Sequence, residues 1–208
     1  MSILSILLMV LAALLLSGIF ASVCFFQGPA EAKDDKVPRQ KPGKKAAVFC
    51  GGPAVSPQAH VYEGYPDCRV ASLVQGGDRS CSYGCLGYGS CAEACPQGAI
   101  RVEGRALPSI SADCTGCGIC VEVCPRKVIR LIDKRADYLV ACSSRDSAPV
   151  RSKVCSQPCT SCGVCTAVNG SGGYRIQRGA SVADIDYSRS QDRSSAFTAC
   201  PTSCIRKL

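Results

Sequence analysis

Cysteine is the residue type that dominates the possible chemistry of this sequence. The chain of 208 residues contains 18 cysteines. One stretch, "CTGCGICVEVCP", has the spacing C-x2-C-x2-C-x3-C-P at Cys114, Cys117, Cys120, Cys124 and Pro125. In this spacing, three thiolates bind one face of a 4Fe–4S cube and the fourth reaches a second cube. Zinc sites normally pair two C-x2-C knuckles instead. The run therefore predicts iron–sulfur ligation rather than zinc.

A partner run, "CSYGCLGYGSCAEACP", lies upstream and lacks one cysteine of the same pattern. Tyr88 stands at the second position, and Cys81 is the expected replacement ligand. The fourth cysteines of two such runs cross between clusters. One cluster is therefore predicted on Cys81, Cys85, Cys91 and Cys124, and another on Cys114, Cys117, Cys120 and Cys95.

The C-terminal part contains a third run and the end of a fourth. The third begins "CTSCGVC" and then reads "TAVNG" where a cysteine and a proline are expected, and the fourth keeps only its closing Cys-Pro pair. The cysteines that remain form one complete crossed ligand set. We predict a cluster on Cys159, Cys162, Cys165 and Cys200.

The positions without cysteine form the other ligand set, namely Asn169, Ser190, Arg193 and Ala196. Because random decay seldom spares one full set, we interpret this region as a two-cluster module reduced to one cluster. Polar residues and an opened Gly-rich loop, "NGSGG", are expected to fill the emptied site. In the alternative interpretation the module has lost both clusters, which would leave three clustered thiols and Cys200 without a purpose.

Four further cysteines equal the number that another cube needs: Cys50, Cys68, Cys142 and Cys155. Two of them follow apparent strands, "KAAVFC" and "DYLVAC". The alternative is that they are buried structural thiols, since cysteine is often a small apolar filler. Cys204 and Cys24 are expected to be fillers of this kind. The cofactor prediction is thus three 4Fe–4S clusters, with a fourth left open.

The segments after each Cys-Pro pair repeat as "CPQGAIRV", "CPRKVIRL" and "CPTSCIRK". Each is typical of a short helical turn followed by a strand, which is half of a ferredoxin βαβ unit. We predict an α+β fold with one N-terminal transmembrane helix followed by two ferredoxin-like βαβ modules. The predicted domains are an anchor over 1–26, a flexible linker over 27–46, a two-cluster module over 47–150 and a degenerate one-cluster module over 151–208.

The N-terminal prediction depends on residues 3–26, which contain no charge and could cross a hydrocarbon core of about 30 Å. A cleaved signal peptide is the alternative. Lysines and arginines follow the apolar run and none precedes it, which favours a cytoplasmic location for the rest of the chain. The predicted localisation is the bacterial inner (cytoplasmic) membrane, single-pass, with the soluble part on the cytoplasmic side.

Other chemistry is weakly indicated. The sequence has no phosphate-binding loop, dinucleotide fingerprint or nucleophile elbow, so no catalytic residue is predicted. The single histidine, His60, lies in a loop-like stretch and is expected at the surface. The net charge of +8 suits contact with an acidic protein or anionic lipid. Nucleic acid is excluded as a partner, because no basic helix or pattern of stacking aromatics accompanies the charge.

The order of these parts resembles the B subunits of Rnf complexes, the ion-translocating ferredoxin:NAD oxidoreductases of bacterial membranes. The stretch "SCSYGCLGYGSC" is the most specific match. The chain lacks the separate cysteine-rich domain that this family usually places before the strand at residue 46. The resemblance implies a non-catalytic electron-transfer subunit that accepts electrons from soluble ferredoxin and passes them to other subunits. A non-redox scaffold or an assembly protein, with structural iron–sulfur or zinc sites, is the alternative.

Overall fold

A computed structural model describes residues 40–168, 173–176, 182–189 and 192–208. The chain divides into two units, residues 1–37 and 38–208, and everything described below belongs to the second. The described strands are β1 Lys44–Val48, β2 Ile100–Arg101, β3 Ser109–Ile110, β4 Ile129–Asp133, β5 Tyr138–Val140, β6 Tyr174–Arg175, β7 Asp184–Ile185 and β8 Ile205–Lys207. The described α-helices are α1 Cys68–Leu73, α2 Ser90–Glu93, α3 Ile119–Val123, α4 Ala148–Val154, α5 Val164–Ala167 and α6 Ser194–Ala199, with a 3-10 turn at Pro53–Val55.

The strands form the same pairing pattern twice. In the first repeat, residues 44–133, β1 pairs antiparallel with β4 and β2 with β3. In the second repeat, residues 138–207, β5 pairs antiparallel with β8 and β6 with β7. Each repeat therefore consists of two parts, an outer strand pair that joins the ends of the repeat and an inner hairpin. In the sequence, the short helices of the cysteine runs lie between these strands.

The short helices begin where a glycine turns the chain. Gly118 (φ 88°) precedes α3 and Gly163 (φ 80°) precedes α5. A side chain at either position would strain this left-handed backbone. Each glycine lies between the second and third cysteines of its run, so the turn brings the third cysteine, on the first turn of the helix, back toward the other two. The sequence Cys-Gly-x-Cys thus sets both the helix start and the direction of its thiols.

Strand alternation assigns the residues of β1 to two different cores. Ala46, Val48 and Cys50 pack into the core of the first repeat, while Ala47 and Phe49 pack into a core between the repeats. Successive side chains of a strand point to opposite faces. The second repeat shows the same alternation, in which Tyr138 and Val140 enter its own core and Leu139 and Ala141 enter the shared one.

The fold-class prediction needs correction. Within the described residues no helix is long and apolar enough to cross a membrane, and the predicted helix over 1–26 lies outside them. The longest described helix, Ala148–Val154, has 7 residues and spans about 10 Å, against the about 30 Å of a hydrocarbon core. The structure describes a small α+β domain. The order strand, helix, strand recurs as expected, but every described strand pair is antiparallel, so the parallel pairing of a βαβ unit is not formed here.

The strand pairs also bear on the predicted domain boundaries. β1 begins at Lys44, inside the predicted linker over 27–46. β5, which lies in the predicted module over 47–150, pairs with β8 at the end of the chain. A division between residues 133 and 138 would follow the strand pairing more closely than the one at residue 150. The division into two modules remains a prediction.

Candidate metal centres

Three cavities lined by cysteines are the candidate metal centres. The space between their walls is similar, about 390, 310 and 360 Å³ for the first, second and third cavity when the part open to solvent is included. The cysteines of the first cavity are Cys68, Cys85, Cys91 and Cys124. Those of the second cavity are Cys95, Cys114, Cys117 and Cys120. Those of the third cavity are Cys159, Cys162, Cys165, Cys200 and the buried Cys204.

The first cavity differs from the predicted set at one position. Cys85, Cys91 and Cys124 line it as expected, but Cys68 takes the place that the sequence suggested for Cys81. Cys68 is the first residue of α1. Its backbone N–H donates to Ser90 Oγ at 2.7 Å, and Ser90 directly precedes Cys91 in the chain. The hydrogen bond therefore holds two cysteines that are far apart in sequence at the same cavity.

Asp67 fixes this arrangement as the N-cap of α1. Its carboxylate accepts from the backbone N–H of Arg69 and Val70 and from Ser90 Oγ, at 2.7, 3.1 and 3.1 Å. The hydrogen bond from the Arg69 side chain, together with these donors, lowers the pKa of Asp67 to about 2. The cap thus stays ionised at neutral pH. A residue that the sequence suggested only for an additional cluster is positioned here by a capping interaction.

Tyr88, at the vacant cysteine position, belongs to a buried polar network. Its hydroxyl donates to Asp78 Oδ2 at 3.1 Å, and the Arg105 guanidinium lies 4.2 Å from its ring centroid. Arg105 pairs with Asp78 at 2.6 Å, and Asp78 is fully buried. Gln58 Nε2 donates to the same carboxylate oxygen at 3.1 Å. Tyr88 therefore fills the position of a missing ligand with hydrogen bonds and ring contacts.

The second and third cavities contain the predicted sets. In the second, the Ala46 N–H donates to Cys114 Sγ at 3.3 Å. In the third, the Ala183 N–H donates to Cys159 Sγ at 3.4 Å, and Cys200 Sγ lies 3.8 Å from Thr202 Oγ1. Backbone N–H donors of this kind stabilise thiolates and are a known means of tuning cluster potentials.

Burial controls the protonation of these thiols. It is the main cause that raises the pKa of Cys91 to about 11, of Cys120 to about 12 and of Cys165 to about 11. Cys159 is the exception in the third cavity, because a hydrogen bond from the Cys204 thiol is the main cause that lowers its pKa to about 5. A metal centre binds thiolates, so its assembly in these cavities would release protons.

The donor sets fit 4Fe–4S clusters. Each cavity offers four thiols, apolar walls and backbone donors to sulfur. No group of three or more His, Cys, Asp or Glu side chains in the described ranges is close enough to hold a single metal ion. In a cube each thiolate binds a different iron, which needs a wider spacing than a single ion does. The cysteines as ligands remain a prediction, now with Cys68 in the first cavity.

At the positions where the sequence predicted a lost cluster, the described residues include a buried cation and lie near aromatic rings. Arg193 Nη1 pairs with Asp137 Oδ1 at 3.0 Å, and the Arg193 side chain is 8% exposed. Its guanidinium lies 5.6 Å from the ring centroid of Tyr187. Ala196 is buried in a core that also contains Tyr174. The other two erased positions, 169 and 190, lie outside the described residues.

Three of the four remaining cysteines are not among the residues that line the three cavities, and neither is Cys81. They are Cys50, Cys142 and Cys155. Cys50 and Cys142 follow strands, as the sequence indicated. Cys204 is buried, as expected for a filler, and its thiol lies within hydrogen-bonding reach of the Cys142 and Cys159 sulfurs. His60 has intermediate burial rather than lying fully at the surface.

Comparison with known proteins first identifies the class of domain in this chain. Residues 82–131 match the family model of the 4Fe-4S dicluster domain. This range contains the cysteines of the second cavity and three of the four in the first. This part of the chain therefore belongs to the class of 4Fe–4S domains.

The chain is homologous to the B subunits of ion-translocating ferredoxin:NAD oxidoreductase complexes, as the sequence indicated. It is 34% identical over 165 residues to the B subunit of the proton-translocating ferredoxin:NAD(+) oxidoreductase complex of Clostridium ljungdahlii, covering 78% of this chain and 58% of the relative. It is 34% identical to the B subunit of the Na(+)-translocating complex of Acetobacterium woodii, covering 78% and 49%. It is also 34% identical to the B subunit of the ion-translocating oxidoreductase complex of Methanosarcina acetivorans, covering 70% and 53%. The chain spans about half the length of the curated relatives it matches.

The role of Cys68 is the main feature that sequence reasoning missed. A signal was present, because Asp67-Cys68 begins an apolar helical segment and Asp is a favoured N-cap. A second signal was the shared gap between Cys81 and Cys85 and between Cys155 and Cys159. If Cys155 is not needed in the third cavity, its counterpart Cys81 is not needed in the first.

Proposed function

We propose that this chain is an electron-transfer subunit of an ion-translocating ferredoxin:NAD oxidoreductase complex. The observation that carries the proposal is the set of three similar cavities, whose linings each include the four cysteines of one crossed ligand set. The names of the homologues support the complex as its setting. A 4Fe–4S cluster supplies one-electron redox chemistry when bound.

The residues of the chain would bind the clusters and tune them. Twelve cysteines would hold three clusters: Cys68, Cys85, Cys91 and Cys124 in the first cavity, Cys95, Cys114, Cys117 and Cys120 in the second, and Cys159, Cys162, Cys165 and Cys200 in the third. Apolar walls exclude water. Backbone N–H groups, such as those of Ala46 and Ala183, donate to the sulfurs and favour the more negative, reduced state.

The electron donor we propose is a soluble ferredoxin, and the acceptors are other subunits of the complex. Local groups of basic side chains would attract an acidic donor by electrostatic steering. Lys44, Arg130 and Arg135 line one open depression on the surface. Ion translocation moves ions across a membrane, so the subunit would work at a membrane as part of that assembly.

Stopped-flow reduction of the anaerobically purified protein tests this proposal. Reduced two-cluster ferredoxin is the donor, and bleaching of the visible iron–sulfur absorption is the readout. The rate is expected to fall steeply as salt is raised from about 0.05 to 0.5 M, because screening shortens the reach of charge. A Lys44→Glu, Arg130→Glu variant should slow reduction and keep its iron.

The scaffold and assembly alternatives predict different outcomes. A protein that contains zinc in place of iron would overturn the relay. Stable clusters that the ferredoxin does not reduce would also overturn it, since they would be structural. Transfer of the clusters to an acceptor protein that lacks them, observed on mixing, would favour the assembly role. A salt-independent rate with full reduction would overturn the electrostatic docking and leave the relay standing.

A further inference from the structure

Cys50, Cys81, Cys142 and Cys155 form two pairs that the repeats make equivalent. Cys50 lies two residues after β1 and Cys142 two residues after β5, the corresponding strand. Cys81 and Cys155 each precede the first cysteine of a run by the same gap. Each repeat therefore supplies one cysteine from the end of its first strand and one from the entrance to its first run.

The structure brings these four thiols together. Burial is the main cause that raises the pKa of Cys81 to about 11, and the neighbouring thiols of Cys50, Cys155 and Cys142 raise it further. The Cys155 thiol in turn interacts with Cys50 and Cys142.

Each of the four sulfurs accepts a hydrogen bond from the backbone N–H of the residue two positions further along the chain. Gly52 N–H donates to Cys50 Sγ at 3.3 Å. The corresponding donors are Tyr83 for Cys81, Ser144 for Cys142 and Gln157 for Cys155. The step recurs at two cavity cysteines, where Gly87 donates to Cys85 and Ser161 to Cys159. The four thiols thus have the local backbone geometry of the predicted ligands.

Direct hydrogen bonds hold the two repeats together around this group. Cys81 N–H donates to Ser56 Oγ at 3.1 Å, and Ser56 Oγ donates to Val154 O at 3.0 Å, one residue before Cys155. Ser156 N–H donates to Val55 O at 2.8 Å. Arg206 Nη1 donates to Cys50 O at 3.1 Å and brings a positive charge beside the thiols.

A second contact links this group to the third cavity. The Cys159 N–H donates to Cys142 Sγ, and Cys159 lines the third cavity. Cys85 N–H donates to Cys50 Sγ at 3.3 Å, and Cys85 lines the first cavity. The group therefore lies between the first and third cavities and touches a cysteine of each.

We propose that Cys50, Cys81, Cys142 and Cys155 bind a fourth 4Fe–4S cluster at the junction of the two repeats, with Cys68 completing the first cavity in place of Cys81. The choice of these four ligands rests on the structure alone. The role of the fourth cluster as an electron-transfer step between the first and third clusters rests on the proposed relay function. Loss of this cluster would interrupt the path between the repeats.

Iron and acid-labile sulfide counts on paired variants test the assignment. The wild-type chain is expected to hold about sixteen of each when four cubes are present. Cys81→Ala, Cys155→Ala removes two ligands of one cluster and should leave about twelve. Cys68→Ala, Cys155→Ala removes one ligand from each of two clusters and should leave about eight. The matched control Cys24→Ala, at a cysteine that belongs to none of the four sets, should keep the full count.

The outcomes separate this proposal from the relay itself. A wild-type count near twelve, unchanged in Cys142→Ala, would overturn the fourth cluster and leave the three-cluster relay intact. Counts reversed between the two double variants would place Cys81 back in the first cavity and overturn the assignment. One zinc per chain, lost in Cys142→Ala, would overturn the cube. Because a double variant could fold poorly, EPR spin counts on Cys142→Ala and Cys155→Ala provide a second readout, and each should lose one cluster signal.

Discussion

The two repeats share one strand pattern and differ in what fills their cores. The core of the first repeat contains no aromatic residue, and half of its buried members are cysteines. The core of the second contains Tyr138 and Tyr174, with Tyr187 packed against it. Among the described residues, two of the three cysteine-lined cavities lie in the first repeat and one lies in the second. Aromatic rings and the Arg193–Asp137 pair lie in the second repeat, at or near positions that the sequence interpretation assigns to a lost cluster.

This difference indicates that a cluster is a structural part of the core as well as a cofactor. A chain with 18 cysteines, no tryptophan and few other aromatics cannot build a packed interior from large side chains in both repeats. In our proposal, a bound cube takes the place of those side chains in the first repeat. The aromatic side chains Tyr138, Tyr174 and Tyr187 would take the corresponding place in the second repeat.

Substitutions at equivalent positions of the two repeats should differ in their effect on the iron content. Cys117 and Arg193 occupy the same place in their runs. Cys117→Ala removes a ligand from the second cavity and should lower the iron count by about four per chain. Arg193→Ala removes no ligand and should leave the count unchanged. Iron and sulfide analysis of anaerobically purified variants measures both.

The comparison fails if the two variants behave alike. Unchanged iron in Cys117→Ala would mean that the second cavity does not hold a cluster through this residue. Iron lost from Arg193→Ala without unfolding would mean that Arg193 supports a cluster, against the interpretation of an emptied site.

A rescue experiment sharpens the contrast at the vacant cysteine position of the first repeat. Cys68→Ala should lose one cluster, because Cys68 stands in for the cysteine that Tyr88 replaced. Cys68→Ala, Tyr88→Cys restores the spacing seen at Cys159 and Cys162, and should recover part of the lost iron after reconstitution. Cys81→Ala, Tyr88→Cys is the matched control. Full recovery in the control together with none in the test variant would contradict the role of Cys68.

The buried cation of the second repeat should contribute to stability. Arg193→Met keeps the side-chain volume but leaves Asp137 without its partner and removes the hydrogen bond to Arg189 O at 2.7 Å. Because Asp137 is partly exposed, we expect a loss of about 2 kcal/mol in the free energy of unfolding, below the range for a fully buried pair. Anaerobic urea unfolding followed by circular dichroism measures it.

The exposed pair Arg135–Asp133 provides the control for that measurement. The Arg135 side chain is 89% exposed, and surface pairs contribute little. Arg135→Met should therefore leave the unfolding midpoint unchanged. An equal loss in both variants would show that the Arg193 pair has no special role in the emptied site.

The smallest expected effect comes from one hydroxyl of the replacement core. Tyr187 Oη donates to Tyr138 O at 2.8 Å and joins β7 to β5. Tyr187→Phe keeps the ring and removes this hydrogen bond, which should cost about 1 kcal/mol. The same unfolding experiment measures it, with Tyr65→Phe as a control because Tyr65 is 70% exposed. A variant as stable as the wild type would show that packing alone holds the ring.

The sequence predicted the second and third cysteine sets because their ligands lie in regular runs. Spacing along such a run is set by one glycine turn and one short helix, so local rules suffice. Cys68 escaped this reasoning because its place depends on Ser90 and Asp67, a tertiary contact that no spacing encodes. The same limit applied to Cys81, since its neighbours come from both repeats.

The strand pairing could be predicted only in part. Each Cys-Pro pair is followed by a turn and a strand, as the repeated segments indicated. Which strands pair depends on contacts between the ends of each repeat, such as Val48 with Ile129. These residues are far apart in the sequence, and two-residue strands such as β2 have too little periodicity to indicate a partner.

An anomalous-scattering map recorded at the iron absorption edge, from crystals of the anaerobic protein, tests the central contrast most directly. We predict iron in both cavities of the first repeat and in the cavity of Cys159, Cys162, Cys165 and Cys200. We predict none among Tyr174, Tyr187 and Ala196. Iron among those three residues, or a cavity of the second repeat without iron beside two filled ones in the first, would contradict the account.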